Sequence, residues 1–150
     1  MPELYLMRHA KAKRGHADMT DHQRPLSGRG HRQAAAMARA LQRWNALAGE
    51  IHVSSAQRTR ETLEGLAAQL PEPLTEPASF QDALYTFDKQ ALRDWLRARP
   101  AEAERVLIIG HNPALVKLAR WLCRAGGREA NAAPGDHRAR AALDDTADRD

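Results

Sequence analysis

The sequence predicts an α/β fold, a three-layer sandwich in which a mainly parallel sheet carries helices on both faces. Short apolar runs rich in strand formers alternate along the chain with longer segments of helical periodicity. Strands separated by helices join as right-handed βαβ units, and such units build a parallel sheet. The chain has 150 residues, of which 43% are hydrophobic, enough for one domain with a sizeable core.

The run E-L-Y-L-M-R places a buried first strand at 4–7, ending at Arg8 and His9. Residues 10–26 are polar, with Gly15, Pro25 and scattered charges, which is loop composition. Ser27 then caps a helix in which Ala34, Ala35, Met37, Ala38, Leu41 and Trp44 recur at helical spacing to about residue 47, and Gly49 stops it. I-H-V-S at 51–54 reads as a second strand, followed by a helix over 57–70 that Pro71 ends. Pro71, Pro73 and Pro77 make the next stretch extended, with room for a brief strand near 74–78.

Phe87 and Asp88 open a helix with Leu92, Trp95 and Leu96 on one face, and Pro100 closes it. R-V-L-I-I-G at 105–110 is the plainest buried strand. A helix bearing Leu115, Val116, Leu118, Ala119, Leu122 and Cys123 follows, and Gly126-Gly127 is expected to end it, with Cys123 in the core. Residues 1–123 therefore read as the domain that holds the core. Residues 124–150 hold Leu143 as their single large aliphatic side chain and read as a tail, flexible or at best a short edge strand.

Charge says less than it first suggests. The formal net charge is +4 and the isoelectric point about 9.7. Only Lys11, Lys13, Lys89 and Lys117 are lysines, and the arginines are spread along the whole chain rather than gathered in a block. Aromatic residues make up 5% of the chain and are not interleaved with the basic ones, so a base-stacking nucleic-acid groove is not expected. No apolar run approaches the roughly 18 to 20 residues needed to span a bilayer, so a membrane partner is not expected either. Met1 and Pro2 lead straight into the first strand without a signal-peptide pattern, and one cysteine cannot form an internal disulfide, so the expected location is cytoplasmic.

In an open parallel sheet, ligands bind beyond the carboxyl ends of the strands. Three such ends carry Arg8 and His9, Arg58, and His111. An arginine-histidine pair alone is uninformative in a chain this rich in arginine, but convergence of cationic groups at separate strand ends suits an anionic substrate. Asn112 and Pro113 begin the last helix well, and its N-terminus adds partial positive charge at the same end of the sheet. His16, Asp18, Asp21 and His22 lie in a loop with no metal-ligand spacing and read as solvated.

Four segments in order, L-Y-L-M-R-H-A-K-A (4–12), R-P-L-S-G-R-G (24–30), S-S-A-Q-R-T-R-E-T (54–62) and V-L-I-I-G-H-N-P (106–113), resemble the histidine phosphatase superfamily. The small size and the R-H-A and G-H-N-P spellings are similar to its SixA-type phosphohistidine phosphatases. The resemblance implies a phosphoglycerate mutase-like fold and a phosphatase that works without metal or other cofactor. His9 would be the nucleophile that carries the phosphoryl group, with Arg8, Arg58, His111 and Asn112 binding the phosphate. Asp82, in Q-D-A-L-Y at 81–85, would stand where many members place a glutamate proton donor. The implied partner is a protein bearing phosphohistidine or a small phosphoester. A phosphohistidine leaves as imidazole and needs little acid help, which favours it over ordinary phosphomonoesters. A small-molecule phosphomonoesterase and a phosphate-binding module without catalysis stand as the alternatives. Members usually continue with a further closing strand containing proline and threonine, and no such segment is visible in 124–150.

Overall fold

A computed structural model describes residues 3–100, 103–128 and 138–142. Its elements in chain order are β1 (Glu3–Arg8), α1 (Gly28–Arg43), β2 (Glu50–Ser54), α2 (Gln57–Ala67), β3 (Ser79–Gln81), α3 (Lys89–Arg97), β4 (Arg105–Gly110), α4 (Ala114–Arg128) and β5 (Arg138–Ala142). The five strands lie in the order β3-β2-β4-β1-β5, every pair parallel.

Alternation along the central strands explains the three layers. Leu4 and Leu6 of β1, with Val106 and Ile108 of β4, face Leu92, Trp95 and Leu96 of α3 and Leu115 and Leu118 of α4. The intervening Tyr5, Met7, Leu107 and Ile109, with Ile51 and Val53 of β2, face Ala38 and Leu41 of α1 and Leu63 and Leu66 of α2. Both faces of β1 and β4 are thus buried, which is why these strands are continuous apolar runs rather than alternating ones.

The helix starts follow their capping residues. Ser27 Oγ accepts from Gly30 N at 3.0 Å, and the Asp88 carboxylate accepts from Gln90 N and Ala91 N. Several boundaries differ from the sequence expectation. Helix α1 stops at Arg43 rather than near 47, because Asn45 adopts a left-handed φ of 60° and Ala46 N bonds back to Leu41 O. The third strand forms at Ser79–Gln81, beyond the prolines, not at 74–78. Helix α4 runs through Gly126-Gly127 to Arg128, and Cys123 is exposed rather than in the core. A closing strand is present after all: β5, R-A-R-A-A, pairs with β1 from Glu3↔Arg138 to Met7↔Ala142. The possible flexibility of the rest of the tail falls on 129–137 and 143–150, outside the described residues.

Candidate active site

The site forms where β1, β2 and β4 end. Pairing of Arg8 with Gly110 in adjacent parallel strands brings the next residues, His9 and His111, side by side, with ring centroids 5.4 Å apart. His9 Nδ1 lies 2.6 Å from the carbonyl oxygen of Ala10. A carbonyl can only accept, so Nδ1 carries the proton and Nε2 keeps its lone pair. Burial drives the His9 pKa down to about 4. The Ala10 bond opposes this shift, while the positive charges of Arg58, Arg8 and Arg24 reinforce it. His9 is therefore a neutral, correctly tautomerised imidazole at physiological pH.

The segment S-S-A-Q-R-T-R-E-T at 54–62 supplies three fittings, Ser54, Arg58 and Thr62. Arg58, 1% exposed in the first turn of α2, places Nη2 3.4 Å from His111 Nδ1. Since a guanidinium can only donate, His111 Nδ1 accepts, and His111 carries its proton on Nε2, which donates to Ser54 Oγ at 2.8 Å. Thr62, one turn beyond Arg58, donates to Arg58 O at 2.7 Å and accepts from Ala10 N at 3.0 Å, tying α2 to the residue after His9. Burial lowers the His111 pKa to about 3, and the charge of Arg58 lowers it further than His9 or Arg8 does. The charge of Arg8 also acts on both histidines. Arg58 Nε is a buried donor that meets no acceptor among the described residues, an arrangement an anionic oxygen would complete.

Two expected residues sit differently. Asn112 spends its side-chain carbonyl on Val116 N at 3.2 Å, in the first turn of α4, leaving only its amide to face a ligand. Asp82 is exposed at the start of a one-turn 3-10 helix, Asp82–Leu84, and makes no described side-chain bond to His9, Arg58 or His111. Its backbone carbonyl instead holds Tyr85 N at 2.9 Å. The carboxylate at the site belongs to Asp21, which the sequence reading left solvated. Asp21 Oδ2 accepts from Arg58 Nη2 at 3.0 Å and from the Tyr85 hydroxyl at 2.6 Å. Burial would raise its pKa, but the Tyr85 and Arg58 bonds and the nearby charges outweigh that and hold it at about 2. His22 is half-buried: Nε2 lies 2.9 Å from Ser55 Oγ, and its ring meets Tyr85 edge-on. No group of three or more metal-ligating side chains placed to hold an ion occurs among the described residues.

A sequence model of the histidine phosphatase superfamily (branch 1) matches residues 4–105 of this chain. The chain belongs to the histidine phosphatase superfamily. Among relatives, this histidine phosphatase is 35% identical over 124 residues to an uncharacterized Mycobacterium leprae protein, ML1117, covering 80% of this chain and 73% of the relative. An uncharacterized chloroplastic protein of Arabidopsis thaliana, At3g52155, is 36% identical over 83 residues, and that match spans 55% of this chain but only 38% of the plant protein. Among solved structures, the protein histidine phosphatase SixA complexed with tungstate superposes with a TM-score of 0.66 at 28% identity, covering 79% of this chain and 75% of SixA. A candidate phosphohistidine phosphatase SixA from Nakamurella multipartitia gives 0.67 at 33%, covering 86% and 71%. The fold is the phosphoglycerate mutase-like fold of these neighbours, and the enzyme is a phosphatase. No helix among the described residues is long and apolar enough to cross a membrane.

Proposed function

We propose that the enzyme hydrolyses protein phosphohistidine through a covalent phosphohistidine at His9. The supporting observation is the His9 imidazole, neutral, with Nδ1–H fixed on Ala10 O and Nε2 unprotonated, beside Arg58 and His111. In the first half-reaction Nε2 bonds to phosphorus as the substrate's P–N bond breaks, and the departing imidazole takes a proton from solvent. In the second, water adds to phosphorus, the P–Nε2 bond breaks, its electron pair returns to Nε2, and inorganic phosphate leaves. One water is consumed, its hydroxyl ending on phosphorus and its proton on the leaving group. Arg8, Arg58 and the Asn112 amide hold the phosphoryl oxygens, and the neutral His111 can turn its Nε2–H from Ser54 Oγ to one of them as the phosphoryl group enters.

The carboxylates favour a P–N substrate over an alkyl ester. Asp82 is exposed, and Asp21 is an anion held by Arg58 and Tyr85, so neither is arranged as a strong acid for an alkoxide. An imidazole departs without one. The test compares a phosphohistidine-bearing protein with small phosphoesters, using native enzyme and His9→Ala. The expected result is higher kcat/KM on the phosphoprotein, an acid-labile phosphoenzyme with native protein, and neither turnover nor trapping with His9→Ala. Undiminished turnover by His9→Ala would sink the mechanism. Superior turnover of small esters would instead favour a small-molecule phosphomonoesterase.

A further inference from the structure

Two aromatic rings stand over the second histidine of the site. The Phe87 ring lies 5.2 Å and the Tyr85 ring 5.4 Å from the ring of His111, and the two are 5.8 Å from each other. Among the described residues neither ring contacts His9; both contact His111, which in turn contacts His9. Both come from the connection between β3 and α3, beyond the carboxyl end of the sheet.

The pair is built rather than draped. Tyr85 is fixed by its backbone N on Asp82 O, by its hydroxyl on Asp21 Oδ2, and by the His22 ring edge-on at 4.9 Å. Phe87 immediately precedes Asp88, whose carboxylate caps α3, so its backbone is anchored by the helix start. The residue nevertheless remains 46% exposed. A rigid phenyl face left open to solvent beside the phosphoryl pocket offers a stacking surface to whatever is attached to the phosphorus. In-line transfer sends the leaving group away from the nucleophile, and neither aromatic ring contacts His9.

We infer that Tyr85 and Phe87 form a leaving-group platform that selects substrates whose leaving group carries a planar ring next to the transferred phosphoryl. The inference deepens the phosphohistidine reading and rests on it for the choice of imidazole; an aryl phosphate shares the same chemistry, and the experiment separates the two.

The probes are phenylphosphonate and methylphosphonate, which keep the phosphoryl oxygens and differ in the ring, with affinities measured by calorimetry on native protein, Phe87→Ala and Phe87→Tyr. Native protein is expected to prefer the phenyl compound by up to about tenfold, the scale of one aromatic contact. Phe87→Ala should erase that preference and leave methylphosphonate within about twofold, and Phe87→Tyr should keep it. Equal affinities in native protein, or a preference that survives Phe87→Ala, overturns the platform. Turnover of phosphohistidine peptide and of phenyl phosphate is measured alongside. Turnover of phenyl phosphate alone, with the Phe87-dependent preference intact, upholds the platform and defeats the phosphohistidine reading. Turnover of phosphohistidine by Phe87→Ala at the native kcat/KM defeats the platform and spares that reading.

Discussion

Asp21 occupies both terminal nitrogens of Arg58. Its backbone carbonyl accepts from Nη1 at 2.7 Å and its carboxylate from Nη2 at 3.0 Å. Any phosphoryl group that engages this fork must displace or share it with a resident anion. The Asp21→Ala variant is expected to bind inorganic phosphate more tightly, by on the order of fivefold, since a half-exposed ion pair is worth about 1 kcal/mol. The product-inhibition constant reads this directly, and an unchanged or weakened value contradicts it.

Asp82 marks the contrast. Exposed and without a described bond to the site, it should tolerate Asp82→Asn with kcat within about twofold on any substrate. A loss beyond tenfold would restore it as the proton donor.

Acid should act on this enzyme at lower pH than on a free histidine. With the His9 pKa near 4, Nε2 stays unprotonated well below neutrality, so kcat/KM should hold to about pH 5 and fall as pH drops through 4. A limb at the ordinary histidine value of 6.5 would refute this. The same shifts set stability. Between pH 6.5 and about 4 the unfolded chain binds a proton at position 9 that the folded chain does not, and His111 acts with the same sign to about 3. Stability is therefore full above pH 6.5 and declines as pH falls. Unfolding free energies from urea titrations at pH 7 and pH 5 should differ by on the order of 1 to 2 kcal/mol per histidine.

Thr62 joins the two halves of the site through one hydroxyl. Thr62→Val leaves the buried Ala10 N–H without its acceptor and should cost about 1 to 3 kcal/mol, with a fall in kcat because Ala10 O orients His9. Thr62→Ser should recover most of both, and thermal melting with steady-state kinetics separates the two losses.

Gly30 is required by proximity. A Cβ there would lie 2.0 Å from the carbonyl oxygen of Lys11, the same oxygen that accepts from Ser27 N and Ser27 Oγ. Gly30→Ala should lower stability by about 1 to 3 kcal/mol, or several degrees in Tm, whereas Gly28→Ala, whose nearest neighbour is a flexible Arg32 tip at 3.6 Å, should be tolerated.

Much of the frame was legible because both of its faces are buried. The apolar runs of β1 and β4, the caps Ser27 and Asp88, and the positions of His9, Arg58 and His111 at strand ends all follow from local pattern. The edge strand β5 was not, because R-A-R-A-A carries no β-branched or aromatic residue, and its pairing partner β1 is more than a hundred residues away.

The sequence by itself determined the parallel α/β layers and the cationic residues that meet at one end of them, since periodicity and strand-end position are local properties. Only the tertiary structure decided what surrounds those residues. Asp21, His22, Tyr85 and Phe87 come from two connections that carry no periodic signal, and they meet because Asp21 bonds Arg58 from one side and Tyr85 from the other. The protonation of His9 was equally invisible: it depends on burial, on one carbonyl and on three charges, and those distances exist only in the folded chain.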